Sequence, residues 1–121
     1  MASTIGPVEV VASAARTTTG QTGALQPGGK IISVNREHLN LLVDVTANDG
    51  TTPTLDLSVE WSMDGGSTWA VGDTADAFTQ IGDTTTTVVE QFQLKAPHYR
   101  IKWTLGGTSP SYTFSIREYL T

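Results

Sequence analysis

Hydrophobic and polar residues alternate with a period of two over most of this chain. Leu39, Leu41, Val43 and Val45 fall on one side of a run, with Asn40, Asp44 and Thr46 opposite. Leu55, Leu57, Val59 and Trp61 repeat the pattern against Thr54, Asp56, Ser58 and Glu60. Tyr99, Ile101, Trp103 and Leu105 form a third run, and Tyr112, Phe114 and Ile116 a fourth. Strict alternation marks half-buried antiparallel strands, because successive side chains of a strand point to opposite faces. Shorter strands are predicted at Val8–Ala12, Lys30–Val34, Ala77–Ile81 and Thr86–Leu94, where Glu90 interrupts the apolar side and marks a strand end or a bulge. The pattern therefore predicts an all-β fold with about eight strands and no substantial helix. Two packed antiparallel layers, a single β-sandwich of immunoglobulin-like or jelly-roll-like type, bury such faces economically.

Two stretches look like copies of one hairpin. Residues 41–61 and 99–119 each show an alternating run, a punctuating segment and a second alternating run. The punctuation is Gly50-Thr51-Thr52-Pro53-Thr54 in the first and Gly107-Thr108-Ser109-Pro110-Ser111 in the second. Glycine and proline at this spacing read as reverse turns, and Asp49-Gly50 strengthens the first. Ser62-Met63-Asp64-Gly65-Gly66-Ser67-Thr68-Trp69 fits the Asp-box pattern Ser/Thr-x-Asp-x-Gly-x-Thr-Trp. Its Asp64 is placed to bind turn amides, its glycines, Gly66 among them, to supply positive φ, and Thr68 and Trp69 to close the turn. The pattern is familiar from sialidase-type propeller blades, where it is structural. One box in 121 residues does not make a propeller, whose blades need about 40–50 residues each.

The length fits one domain spanning 1–121. Residues 1–7 read as an N-terminal tail without the features of a signal peptide. Residues 13–30 are small and polar, and read either as a surface connection or as an extended arm reaching a neighbouring subunit. Arg16, Thr17, Thr18, Thr19 and Gln21 are the arm's candidate contacts.

Charge and composition narrow the function classes. Twelve acidic residues against seven basic ones give a net charge of −5. The scattered basic residues make no electrostatic footprint for nucleic acid. The absence of cysteine excludes disulfides and cysteine-based zinc sites. No apolar run approaches the roughly 20 residues of a membrane span. Asp44, Asp56 and Glu60 occupy outward strand positions, without the burial that a catalytic carboxylate pair requires. Asp73, Asp76 and Asp83 match no recognised calcium loop, and His38 and His98 both fall in turns. No catalytic residue, cofactor or metal site is expected. Trp61, Trp103, Tyr99 and Tyr112 belong to the apolar faces of their strands and are expected in the core. Trp69 and Tyr119 are the rings expected to stay accessible.

The stretch Gly50–Trp69, the segments Ala96-Pro97-His98-Tyr99-Arg100 and Gly106–Phe114, and Ala14-Ala15-Arg16-Thr17-Thr18-Thr19-Gly20 together resemble small β-sandwich proteins of tailed bacteriophage and prophage virions. The resemblance implies a capsid decoration, or cement, protein on the outer surface of the head. Its partner would be the major capsid protein, with self-association as a trimer. It implies a product of the host cytoplasm that is not secreted, and it brings no catalytic residues. A carbohydrate-binding or host-surface adhesin on the virion, and a small neck or tail protein, are the alternatives.

Overall fold

The computed structural model describes residues 7–27, 38–72 and 76–121. Six strands form one antiparallel sheet: β1 (Val8–Arg16), β2 (Gly20–Gln21), β3 (His38–Ser62), β4 (Asp76–Ala77), β5 (Thr86–Gln93) and β6 (His98–Leu120). No α-helix occurs among the described residues. The predicted strand Lys30–Val34 and Asp73 lie outside the described residues. His38 and His98 begin strands rather than occupying turns.

The sheet is built around two very long strands. β3 has 25 residues and β6 has 23, and they pair antiparallel from Leu39↔Leu120 to Ser62↔His98. The expected hairpins at 41–61 and 99–119 are therefore not present. Neither Gly-Thr-x-Pro segment reverses the chain. Each is instead an irregular corner within a strand, and the two corners pair with each other at Thr51↔Thr108.

The corners are related by a local twofold. Each residue of the first motif matches one 57 positions later. The pairing Asp49↔Ser111 is mirrored by Thr54↔Gly106, and Asn48↔Tyr112 by Leu55↔Leu105. Backbone angles repeat as well: Gly50 and Thr52 have φ of 114° and 45°, Gly107 and Ser109 of 97° and 49°. A β-carbon on Gly50 would lie 2.8 Å from the Ser109 carbonyl oxygen, and one on Gly107 would lie 2.5 Å from that of Thr52. Each glycine thus admits the opposite strand's corner at a distance no side chain allows. The register slips between Asp49 and Thr51 and between Thr51 and Thr54 are bulges, which bend and twist a strand pair.

Bending divides the sheet into two leaves. The first contains 38–48 of β3 and 111–120 of β6, flanked by β5 and β1. The second contains 54–62 of β3 and 98–106 of β6, flanked by β4 and β2. The six strands therefore supply eight straight segments, close to the number the alternation predicts. Side chains of the two leaves meet. Phe78 packs edge-on against Phe92 with centroids 5.7 Å apart, and Trp103 against Phe114 at 5.6 Å. Tyr112 Oη donates to the Gly82 carbonyl at 2.8 Å. The fold is all-β and antiparallel, and the two facing leaves belong to one continuous sheet because strands cross between them at bulges.

The inward positions predicted by alternation are buried, including Leu39, Leu41, Val43, Leu55, Leu57 and Val59. Trp61, Tyr99 and Tyr112 join this core, with Trp103 half-buried against it. Each fully buried aliphatic or aromatic side chain contributes about 1.5–3 kcal/mol. Glu90 lies on the inward side of β5 without breaking it. Glu118 is fully buried at the next inward position after Ile116, and accepts a 2.6 Å hydrogen bond from Tyr99 Oη across the leaves. Burial first, then the negative charge and hydrogen bond of Glu118, push the Tyr99 phenol well above its ordinary value.

Candidate functional site

The sequence motifs resolve first into structural parts. Ser62 Oγ donates to Asp64 Oδ1 at 2.8 Å, and the Thr68 amide donates to the same oxygen at 2.8 Å. The Gly66 amide donates to Ser62 Oγ at 2.8 Å, while Trp61 and Ala70 exchange backbone bonds that close the loop. The Thr68 amide first, then the Ser62 hydroxyl, lower the Asp64 pKa to about 2. The Asp box is a self-contained loop lock, as its pattern predicts. Trp69 is half-buried, with the Arg100 guanidinium 4.4 Å from its ring centre. Arg100 also bonds Glu60 at 2.5 and 2.8 Å. One face of the indole is thus covered, which corrects the expectation of an open ring.

Residues 13–27 do not form a free arm. Arg16 ends β1, where its guanidinium donates to the carbonyls of Ala12, Ala14 and Phe114 at 2.9–3.0 Å and lies over the Phe114 ring at 4.5 Å. Thr17 and Thr18 are exposed between β1 and β2. Thr19 Oγ1 accepts from the Leu105 amide at 3.3 Å, and Gln21 pairs with Lys102. Leu25 bridges to Tyr99. The segment follows its own sheet because its backbone groups find partners there. Residues 28–30 lie outside the described residues.

The carboxylates are not brought together. Asp44 is on the first leaf and accepts from Thr87 Oγ1 at 3.0 Å; Asp56, on the second, accepts from Gln80. Asp76 is held by Lys95 at 2.9 Å and by Trp61 Nε1 at 2.7 Å, and Asp83 by Asn48 at 2.6 Å. Among the described residues, no cluster of three or more His, Asp or Glu is arranged to hold a metal ion.

What the structure does assemble is an apolar groove of about 610 Å³ on the outer face of the first leaf. Leu42 of β3, Val89 of β5 and Tyr119 of β6 line it, with Arg117 on the β6 side of Leu42. These three apolar side chains are 36, 60 and 44 % exposed. Leu42 pairs directly with Val89 on one side and with Arg117 on the other. Asn40 fixes one end, donating to the Tyr119 carbonyl at 3.0 Å and accepting from Gln91 at 2.9 Å. Pro7 stands at the rim. An apolar centre with a hydrogen-bonded polar border is a composition found in docking surfaces.

Two doublets carried the signal for this groove. In Leu41-Leu42 and Val88-Val89 the second residue breaks alternation and places an aliphatic side chain on the water side. Tyr119 meets the expectation of an accessible ring. No family model matches this chain, and no significant match to it was found among curated proteins.

Proposed function

We propose that this chain is a non-enzymatic decoration protein of a tailed-phage head, binding the major capsid protein on the outer surface and stabilising the shell. The observation that carries the reading is the apolar stripe Leu42–Val89–Tyr119, presented by a folded-over sheet with a continuous core. The virion-protein resemblance of Gly50–Trp69 and Gly106–Phe114 supplies the partner. A cement protein needs a preformed surface that loses little entropy on docking, and repeated copies on a lattice multiply modest contacts.

Co-sedimentation with purified heads lacking the protein tests this. Wild-type protein is expected to bind and to raise the shell's disruption temperature. Leu42→Glu replaces the apolar contact of a side chain 36 % exposed with a carboxylate that docking would bury unpaired, which weakens binding by roughly tenfold or more. Failure of the wild type to bind heads, or an unchanged disruption temperature, would refute the proposal.

A second reading, a glycan-binding adhesin on the virion, draws on Tyr119, an exposed ring beside Arg117 in the groove. It requires glycan binding that Tyr119→Ala abolishes. Imaging of the intact virion separates head from neck or tail placement.

A further inference from the structure

The edges of this sheet are treated unequally. β2 and β4 are two residues each, too short to template another chain. β1 is long, but register shifts interrupt it between Glu9 and Val11 and between Val11 and Ala14. Arg16 also occupies the Ala12 and Ala14 carbonyls. Bulges and a charged cap are the devices that keep an edge from pairing. β5 has neither. Its eight residues, Thr86-Thr87-Val88-Val89-Glu90-Gln91-Phe92-Gln93, contain no lysine, arginine or proline. They pair with β3 in unbroken register from Val45↔Thr86 to His38↔Gln93. Among the described residues no backbone pairs with the other side of β5, although Lys95 Nζ reaches the terminal Gln93 carbonyl at 3.3 Å.

We propose that β5 is a self-association edge, pairing antiparallel with β5 of a second copy across a twofold at Val89. The proposal is independent of the capsid reading. Side-chain parity limits the registers. A twofold between residues would set outward side chains of one copy beside inward ones of the other. A twofold at Glu90 opposes two carboxylates, which is unfavourable. A twofold at Val88 leaves only 86–90 paired. The twofold at Val89 pairs 86–92, with Val89 opposite Val89 of the second copy, Thr87 opposite Gln91, and Val88 opposite Glu90. It also joins two Leu42–Val89 stripes into one continuous apolar band, so the occupant that extends the exposed face is a second copy of this chain. Main-chain bonds provide the affinity and the valine pair sets the register.

The absence of native cysteine makes a cross-linking test clean. Opposed residues of an antiparallel pair have Cα atoms about 4.5–5.5 Å apart, within disulfide range. Val89→Cys is expected to give a disulfide-linked dimer under mild oxidation. Thr87→Cys alone is expected to stay unlinked, and the Thr87→Cys/Gln91→Cys double variant to link. Sedimentation equilibrium of the wild type should give a dimer. Val89→Lys, at an exposed position, should give a folded monomer whose melting temperature no longer depends on protein concentration. A wild type that stays monomeric at high concentration overturns the proposal. So does an oligomer that Val89→Lys leaves intact, or in which Cys-substituted position 89 does not cross-link.

Discussion

Replacing Gly107 by alanine tests the paired corner most directly. Its φ of 97° disfavours any residue with a β-carbon, at about 1–2 kcal/mol. The added carbon would also stand 2.5 Å from the Thr52 oxygen and 2.8 Å from the Thr51 oxygen, both rigid backbone atoms. Forcing the two strands apart costs about 1–3 kcal/mol more. The total, roughly 2–5 kcal/mol, is a large part of the 5–15 kcal/mol that holds a domain folded. At about 4 °C per kcal/mol for a chain of this size, the melting temperature should fall by about 8–20 °C. Thermal unfolding followed by circular dichroism reads this directly. Gly23→Ala is the control: nothing lies within 4 Å of its added carbon, so its effect should stay within about 0.5 kcal/mol. Gly50→Ala should resemble Gly107→Ala, being its twofold mate. The double variant should cost less than the sum, because one separation of the strands relieves both contacts. A Gly107→Ala protein that melts with the wild type would refute the corner and restore the hairpin reading.

Tyr99→Phe removes the buried donor to Glu118 and should cost about 1–3 kcal/mol, seen as a lower urea midpoint at unchanged slope. Because the folded Tyr99 pKa is raised, its contribution is complete below the unfolded value near 10 and is lost as pH rises above it. Tyr99→Phe should therefore flatten the alkaline loss of stability; an unchanged alkaline profile would refute that role. Asp64 behaves oppositely. Its pKa of about 2 lies below the ordinary 3.8, so the loop lock contributes fully above about pH 4 and is lost as pH falls toward 2. Asp64→Asn should remove that part of the acid dependence in melts between pH 5 and pH 2, and an identical acid limb in both proteins would count against the lock.

Strand character, the inward faces and the Asp-box lock were determined by the sequence alone. Each rests on local chemistry: a period of two buries one face, and a carboxylate two residues from a serine finds the nearby amides. Glu118 keeps the same parity two positions past Ile116, but its burial beside Tyr99 was shown only by the tertiary structure. The groove was partly legible through the Leu41-Leu42 and Val88-Val89 doublets, but only pairing between β3, β5 and β6 set Leu42, Val89 and Tyr119 on one face. The tertiary structure alone decided what the two Gly-Thr-x-Pro segments do. Glycine and proline report that the backbone bends, and the same residues serve a reversal and a bulged corner. Whether the chain turns back on itself or runs on depends on which distant strand pairs with it. Here each corner finds the other, 57 residues away, and the expected hairpins become one bent ribbon of two long strands.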